Sequence, residues 1–137
     1  MKTHKILVIA LALCFIGSLV AQEKKTIKVI VPNKADEVYI TGNQDALGNW
    51  TPDQVMMDKV SDYERAITLS LAYPAEFKFT KGDWNSEGIL NTLDNNPNVI
   101  LKDQDSKHIF NIKGWSNEGT GQALGLDYTT KQLESKY

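Results

Sequence analysis

Alternation of apolar and polar residues is the pattern of a β-strand with one buried face, and it is clearest at residues 63–71, Y-E-R-A-I-T-L-S-L. Side chains at the odd-numbered positions of this segment share one face, and those at the even-numbered positions share the other. Residues 76–81, E-F-K-F-T-K, repeat the alternation, with both phenylalanines inward and Lys78 outward. The short connection at residues 72–75 predicts a β-hairpin between the two strands.

Shorter β-branched or alternating runs predict the remaining strands, and residues rich in Asn, Asp, Gly and Pro separate them. These strands cover residues 26–31, 37–41, 98–102 and 107–113, with residues 55–57 as a short strand or an apolar plug. No segment has a convincing helical period. Six or seven short strands with regularly spaced turns predict an all-β fold, an antiparallel β-sandwich of the immunoglobulin-like type.

The loop after the second predicted strand ends in L-G-N-W. Gly42 and Gly48 indicate backbone conformations that a side chain would obstruct. Leu47 can hold the loop against a core while Trp50 is carried outward, which makes this loop a candidate functional segment. Trp50 as a simple cap on the core edge is the other interpretation, and both stay open at this point.

A second loop, at residues 82–98, is rich in Asn, Asp and Gly and is long for a compact domain. Loops of this length inside a compact fold are more often functional than incidental. The loop carries Trp84, which its polar surroundings predict to be exposed. Trp115, near the end of the last predicted strand, is instead predicted to be packed.

The chain divides into three predicted segments: a signal peptide at residues 1–21, a domain at residues 22–115 and a polar tail at residues 116–137. The first segment has a short basic start and an apolar run too short to span a bilayer comfortably, which is the pattern of a secretory signal peptide. A secreted or periplasmic location is therefore expected. Because Cys14, the one cysteine, lies in this segment, we expect no disulfide and no cysteine metal site in the mature domain.

The charge distribution disfavours two classes of partner. After residue 21 the chain has 13 basic and 17 acidic residues, a net charge of −4, and no basic run continues beyond Lys25. A protein that binds nucleic acid or an anionic membrane surface needs a concentrated basic surface. We therefore expect no nucleic-acid partner and no membrane span, and a soluble protein that binds a neutral ligand.

Few residues are of the types that perform metal or nucleophilic chemistry. His108 is the one histidine after residue 21 and lies in a predicted strand, and neither a zinc motif nor a serine-hydrolase elbow is present. Acidic clusters at residues 94–96 and 103–105 have oxygen ligands that suit a hard cation, but such clusters usually form turns. The sequence thus favours neither a metal nor a cofactor.

Carboxylates and aromatic residues remain as candidates. Glu76, Asp83 and Glu87 lie near the long loop, and glycoside hydrolysis requires two carboxylates. Because nothing marks one of them as an acid with a raised pKa, we expect a protein that is not an enzyme. Aromatic rings pack on the C–H faces of sugars, and amide, lysine and carboxylate groups bond their hydroxyls. The three tryptophans and many asparagines therefore favour a neutral saccharide as the ligand.

Three stretches, in this order and spacing, resemble the starch-binding domains, which are the carbohydrate-binding modules of family 20. They are V-Y-I-T-G-N-Q-D-A-L-G-N-W at residues 38–50, I-T-L-S-L at residues 67–71 and E-F-K-F-T-K at residues 76–81. The resemblance covers residues 26–115. It implies a non-catalytic β-sandwich whose partner is an α-1,4-glucan such as starch, glycogen or maltodextrin.

The resemblance also implies the residues of the glucan site. In the family, the tryptophan of L-G-x-W and the lysine of the aromatic-Lys-Phe strand belong to the main site, and a loop tryptophan and an asparagine complete it. The matching positions here are Trp50, Lys78, Trp84 and Asn98. Trp84 follows Lys78 sooner than the family's loop tryptophan does, so packing of Trp84 against its own loop stays open as an alternative.

Two further departures from the family bear on function. The family's second site uses a tryptophan at the start of the I-T-L-S-L strand, where this chain has Tyr63, so the sequence does not favour a second site. A different class of function also stays open, a secreted sandwich that binds a protein partner and no glucan. Three features favour it: the tail at residues 116–137, the missing second-site tryptophan, and the absence of the family's N-R pair, since Asn98 is followed by Val99.

Overall fold

The computed structural model describes residues 24–92, 94–105 and 108–118, and this part of the chain consists mainly of strands and loops. Its nine strands are β1 (Lys24–Ile30), β2 (Tyr39–Gly42), β3 (Asp58–Lys59), β4 (Glu64–Ser70), β5 (Ala75–Thr80), β6 (Gly88–Ile89), β7 (Val99–Leu101), β8 (Ile109–Asn111) and β9 (Gly114–Trp115). Two 3-10 helices, Asp45–Trp50 and Trp84–Ser86, lie in the two loops that are candidates for function.

The strands form two main sheets and one small pair. The strand order is β3-β4-β1-β8 in the first sheet and β2-β5-β7 in the second, and β6 pairs with β9. β1 and β4 pair antiparallel from Lys24 opposite Ser70 to Ile30 opposite Glu64, whereas β8 lies parallel to β1. The all-β sandwich predicted from the alternation is confirmed, with β1–β8 as a parallel pair in a mainly antiparallel arrangement.

Side chains of both sheets fill the core. Ile27 and Val29 of β1 and Phe77 and Phe79 of β5 are at most 1% exposed. The rings of Phe77 and Phe79 each lie 5.9 Å, centroid to centroid, from the ring of Phe110 in the other sheet. The alternation of β5 therefore has the predicted consequence, since it directs two aromatic rings into the space where burial of apolar surface stabilises the fold.

The predicted hairpin at residues 72–75 is wrong, because β4 and β5 belong to different sheets. β4 pairs with β1 on one side and β3 on the other, so it has no free edge for β5. β5 is paired with β2 and β7 in the same way. Residues 71–74 connect the two sheets. A connection of this length can lead to the other sheet as readily as it can form a turn within one sheet.

The structure also divides the long predicted loop at residues 82–98. It contains a 3-10 turn and β6, which pairs with β9 through Gly88 opposite Trp115 and Ile89 opposite Gly114. A Cβ atom on Gly88 would lie 3.3 Å from atoms of Phe79, Ile112 and Trp115, so the glycine admits this close contact. Strands of two residues have no alternation to detect, which is why the sequence did not predict them.

Some of the predicted segments fall beyond these strands. The predicted signal peptide at residues 1–21 lies outside the described residues, and so does the predicted tail apart from residues 116–118. Within the described ranges, no helix is long and apolar enough to cross a membrane.

Candidate functional site

The loop that carries Trp50 begins with two side chains that bond to the β4–β5 connection and to the start of β5. Gln44 Oε1 accepts a hydrogen bond from the Ala72 N–H at 2.8 Å, and Gln44 Nε2 donates to the Ala72 carbonyl at 2.9 Å. Asn43 Oδ1 accepts from the Glu76 N–H at 3.1 Å. A Cβ atom on Gly42 would collide with the Glu76 carbonyl oxygen, so glycine is required for this approach. The base of the loop is thus fixed to the second sheet.

The same loop then changes direction over three consecutive residues with positive φ. Leu47 is fully buried, and Gly48, Asn49 and Trp50 follow with φ angles of 69°, 47° and 62°. Non-glycine residues adopt this region only when their surroundings hold them there, and such residues concentrate at functional sites. Here Asn49 Nδ2 donates to Asp45 Oδ1 at 2.6 Å and holds the kink. The kink leaves Trp50 half-buried, with part of its side chain at the surface.

Trp84 lies at the tip of a compact turn that follows β5. Gly82, with φ of 111°, starts the turn, and Asp83 Oδ1 caps it by accepting from the Asn85 N–H at 2.8 Å. Ser86 Oγ donates to the Asp83 carbonyl at 2.9 Å and so closes the turn. Trp84 itself is 42% exposed, which agrees with the expectation of an exposed tryptophan in a polar loop.

These two loops bring Trp50 and Trp84 side by side. Their ring centroids are 6.4 Å apart and their planes differ by 36°. Thr80 Oγ1 at the end of β5 donates to the Pro52 carbonyl at 2.7 Å, which ties the end of the first loop to the strand that leads into the Trp84 turn. The molecule therefore has a partly exposed pair of indole rings of the kind that packs against the C–H face of a ring-shaped ligand.

Lys78 is directed away from the core, as the alternation of β5 predicts, but its ammonium group already has protein partners. Its Nζ donates to Glu87 Oε2 at 2.8 Å and to the Asn96 carbonyl at 2.6 Å, and its side chain is 17% exposed. An ammonium group has three N–H donors. Two of these donors hold the segment that contains Glu87, and the third has no partner among the described residues.

Asn98 lies just before β7 and donates from Nδ2 to Glu76 Oε1 at 2.6 Å. Glu76 and Lys78 are two residues apart on β5, so they share a face and lie about 7 Å apart along the strand. Asn98 and Lys78 are therefore near one another on the outer side of β5. Lys78 is bonded to the Glu87 carboxylate and Asn98 to the Glu76 carboxylate. The Trp50–Trp84 pair is formed by two other segments, the loop after β2 and the turn after β5.

Glu87 and Asn96 are the contributors to this arrangement that the sequence did not predict as binding residues. Asn96 Nδ2 donates to the Gly88 carbonyl at 3.0 Å and lies 3.5 Å from Glu87 Oε2. The sequence indicates Glu87 only as a candidate catalytic carboxylate, whereas in the structure it is the charge partner of Lys78. The one sequence feature that indicates a role for Glu87 is its position three residues after Trp84. The sequence alone does not identify Lys78 as the cation with which Glu87 pairs.

Next to the Trp84 turn lies a largely buried polar group centred on Asp36, which is 4% exposed. Asp36 Oδ2 accepts from the Trp115 indole N–H at 3.0 Å, and Oδ1 lies 3.3 Å from Lys81 Nζ. Lys81 also contacts Glu118 Oε1 at 2.7 Å. Burial lowers the pKa of Lys81, but its hydrogen bonds and charge contacts with Glu118 and Asp36 outweigh this, so the pKa is raised overall.

Trp115 is fully buried, as the sequence predicts. Its indole N–H is satisfied by Asp36, and Lys81 Nζ lies 5.5 Å from its ring centroid. A buried tryptophan with its N–H bonded has a structural role. In the ranges described above, no group of three or more His, Cys, Asp or Glu residues is arranged to hold a metal ion.

Comparison with known proteins gives one finding. The family model described as starch binding domain matches residues 25–109, which is more than half of the chain. The matched span includes both loops of the indole pair and ends before β9. No curated protein matches the chain.

Proposed function

Since the chain belongs to the starch-binding domain family of carbohydrate-binding modules, we propose that it binds α-1,4-glucan at the Trp50–Trp84 pair. The observation that carries the proposal is the approach of two partly exposed indole rings to 6.4 Å, centroid to centroid. Pairs of aromatic faces at a protein surface suit the C–H faces of glucose units. The ligand would be starch, glycogen or a maltodextrin.

The angle between the rings supports a curved glucan. Successive units of an α-1,4-glucan turn in one direction, so the chain coils and its ring faces tilt relative to one another. Successive units of a β-1,4-glucan alternate by a half-turn, so the chain runs straight and flat. Two indoles tilted by 36° fit neighbouring faces of a coiled chain better than they fit one flat ribbon.

Polar side chains on the outer side of β5 would bond the sugar hydroxyls. Among the described residues, Lys78 uses two of its three N–H donors on Glu87 and Asn96, and the third is the candidate for a hydroxyl oxygen. Asn98 uses one N–H on Glu76, and its second N–H and its carbonyl oxygen are the groups it would offer. Stacking thus provides apolar contact, and these groups provide orientation.

The proposed role is binding without catalysis. Each of the three carboxylates considered for hydrolysis makes a structural contact: Glu87 pairs with Lys78, Asp83 caps the turn before Trp84, and Glu76 accepts from Asn98. A general acid needs a proton to donate and access to the glycosidic oxygen. Carboxylates that accept hydrogen bonds from neighbouring donors are poorly prepared for that role.

Export is the second part of the proposal. The basic start and apolar run within residues 1–21 support secretion or transfer to the periplasm. Determination of the N-terminal residue of the mature protein tests it, and a start near Gln22 is expected. A mature protein that still begins at Met1 would contradict export.

Isothermal titration with two oligosaccharides of equal length and opposite linkage tests the binding proposal. We expect heat of binding with maltohexaose and none with cellohexaose at the same concentrations. Equal binding of both would contradict the specificity, and no binding of maltohexaose would contradict the function itself. In the latter case, capture of a protein partner by the mature chain would favour the alternative class of an interaction module.

A further inference from the structure

The turn that carries Trp84 receives hydrogen bonds from a residue outside the turn, Ser116, which follows β9. Ser116 Oγ donates to the Asn85 carbonyl at 2.6 Å and accepts from the Glu87 N–H at 2.9 Å. The Ser116 N–H also donates to the Glu87 carbonyl at 2.9 Å. One hydroxyl therefore satisfies backbone groups on both sides of Ser86, directly after Trp84.

The other bonds of the turn set its local shape or attach it to β5. Asp83 and Ser86 bond within the turn and with Lys81, so they set its local shape. Ser116 instead belongs to a separate strand end, 31 residues from Asn85 in sequence. Ser116 therefore attaches the turn to the end of β9, in addition to the attachment of Glu87 to β5 through Lys78.

Ser116 is itself well placed to transmit this orientation. The residue before it, Trp115, is fully buried and donates its indole N–H to Asp36 Oδ2 at 3.0 Å. The Ser116 hydroxyl is thus attached to the rigid core on one side and to the Trp84 turn on the other. Its single donor and an acceptor site are both in use, which a hydroxyl can do and a methyl group cannot.

Packing covers only part of the Trp84 side chain, so the backbone beneath it also determines its position. Its side chain is 42% exposed, and it meets the ring of Trp50 at its partly exposed surface. The distance and tilt of the two rings are consequently set by the backbone under each of them. Beneath Trp50 that backbone is the kink at Gly48 and Asn49, and beneath Trp84 it is the turn held by Ser116.

We infer that Ser116 is a positioning residue of the carbohydrate site, which sets the place of Trp84 against Trp50 through its bonds to Asn85 and Glu87. The effect of Ser116 on glucan binding rests on the proposed function, whereas its effect on the position of Trp84 does not. Ser116 lies beyond residues 25–109, so the family match does not assign it. The functional unit on this account extends through Ser116, past the end of the family match.

The test uses the full mature chain and three variants. Ser116→Ala removes the hydroxyl, Ser116→Thr keeps it, and Ser61→Ala removes a half-buried serine hydroxyl bonded to Glu64 in the β3–β4 turn. The first measurement is circular dichroism without ligand, because two indoles this close couple their transitions and give paired bands of opposite sign. Trp50→Phe and Trp84→Phe identify those bands by abolishing them.

We expect Ser116→Ala to weaken the paired bands and to reduce the affinity for β-cyclodextrin roughly tenfold, since two hydrogen bonds to the turn are lost. Ser116→Thr should retain both signals, and Ser61→Ala should change neither. Paired bands and affinity that both survive in Ser116→Ala would overturn the inference. So would equal losses in Ser61→Ala at matched thermal stability, because the effect would then be one of general stability.

The arm without ligand separates this inference from the proposed function. If the wild-type chain does not bind β-cyclodextrin, the glucan proposal fails, and the paired bands alone decide the role of Ser116. Their loss in Ser116→Ala and retention in Ser116→Thr would still support positioning of Trp84. Unchanged bands in Ser116→Ala would overturn it.

Discussion

Trp115 and the Trp50–Trp84 pair show how one residue type takes two different roles in this small sandwich. Trp115 is fully buried, its N–H is bonded to Asp36, and its ring lies beneath Lys81. Trp50 and Trp84 contact one another at the surface, and loops hold them there. The whole indole of Trp115 is therefore buried and none of it is open to a ligand. For Trp50 and Trp84, hydrogen bonds fix the backbone, and part of each side chain stays exposed.

The two regions are therefore stabilised by different interactions. Burial of apolar surface holds Trp115, so its position depends on core packing. The indole pair depends on hydrogen bonds from loop residues such as Gln44, Asn49 and Ser116 to backbone and side-chain groups. Substitutions in the first region should alter the stability of the domain, and substitutions in the second should alter binding.

The largest expected effect is that of Trp115→Ala. Truncation of a buried aromatic side chain typically costs about 3–5 kcal/mol, and here Asp36 also loses a hydrogen-bond donor. Because small domains have about 5–15 kcal/mol of total stability, we expect a large fall in the free energy of unfolding in urea. Trp50→Ala is the matched control and should change it by less than about 1 kcal/mol. If both variants lost the same free energy of unfolding, the contrast between a stabilising Trp115 and a binding Trp50 would be contradicted.

Next in size is the effect of Trp50→Ala on binding. Loss of a central aromatic contact typically costs about 2 kcal/mol or more, which is roughly a 30-fold loss of affinity. Retention on an amylose column and titration with β-cyclodextrin measure it, and Trp84→Ala should act in the same direction. Val60→Ala, which alters an exposed apolar residue in the β3–β4 turn, is the control and should bind normally. Retention of Trp50→Ala equal to that of the wild type would contradict the proposed site.

A smaller effect is expected for Glu87→Gln. The change removes the charge that faces Lys78 but keeps the shape of the side chain, so we expect a loss of about 1 kcal/mol in stability for this partly buried pair. Affinity for maltohexaose should also fall a few-fold, because Lys78 and the Trp84 turn are held through this residue. Asp62→Asn disrupts a more exposed ion pair with Lys34 and is the control, for which we expect almost no change. A loss of stability no greater than in this control would show that the Lys78–Glu87 pair has no special role.

The smallest effect is a dependence of stability on alkaline pH. Because the pKa of Lys81 is raised in the folded protein, its contribution is fully present below the ordinary lysine value of 10.5 and is lost as the pH rises through the folded value. Thermal unfolding measured from neutral pH to above 10.5 should therefore show a modest fall in the midpoint. Glu118→Gln removes a group that raises this pKa and should make the fall smaller. An identical fall in both proteins would assign it to other groups.

The sequence predicts the general architecture because side-chain alternation reports directly on which face of a strand is buried. The inward direction of Phe77 and Phe79, the outward direction of Lys78 and the burial of Trp115 all follow from local pattern. Local pattern does not determine which strands pair with one another. β4 and β5 are joined by four residues and still lie in different sheets, since pairing depends on edges that remote strands have already occupied.

The candidate site is predictable only in part for a similar reason. Trp50 and Trp84 are recognisable from their loops and from the family resemblance. The partner of Lys78 and the support of the Trp84 turn are contacts between segments with no pattern in common. Ser116 Oγ and the Asn85 carbonyl meet only because β9 pairs with β6, and two-residue strands give no signal in the sequence.

Nuclear magnetic resonance of the three indole N–H groups during titration with β-cyclodextrin tests the central claim most directly. Trp50→Phe and Trp84→Phe assign two signals, and the third belongs to Trp115, whose N–H is bonded to Asp36 in the core. We predict that the signals of Trp50 and Trp84 shift together with one dissociation constant, while that of Trp115 stays in place. A titration in which neither surface indole shifts, or in which only Trp115 does, would contradict glucan binding at this pair.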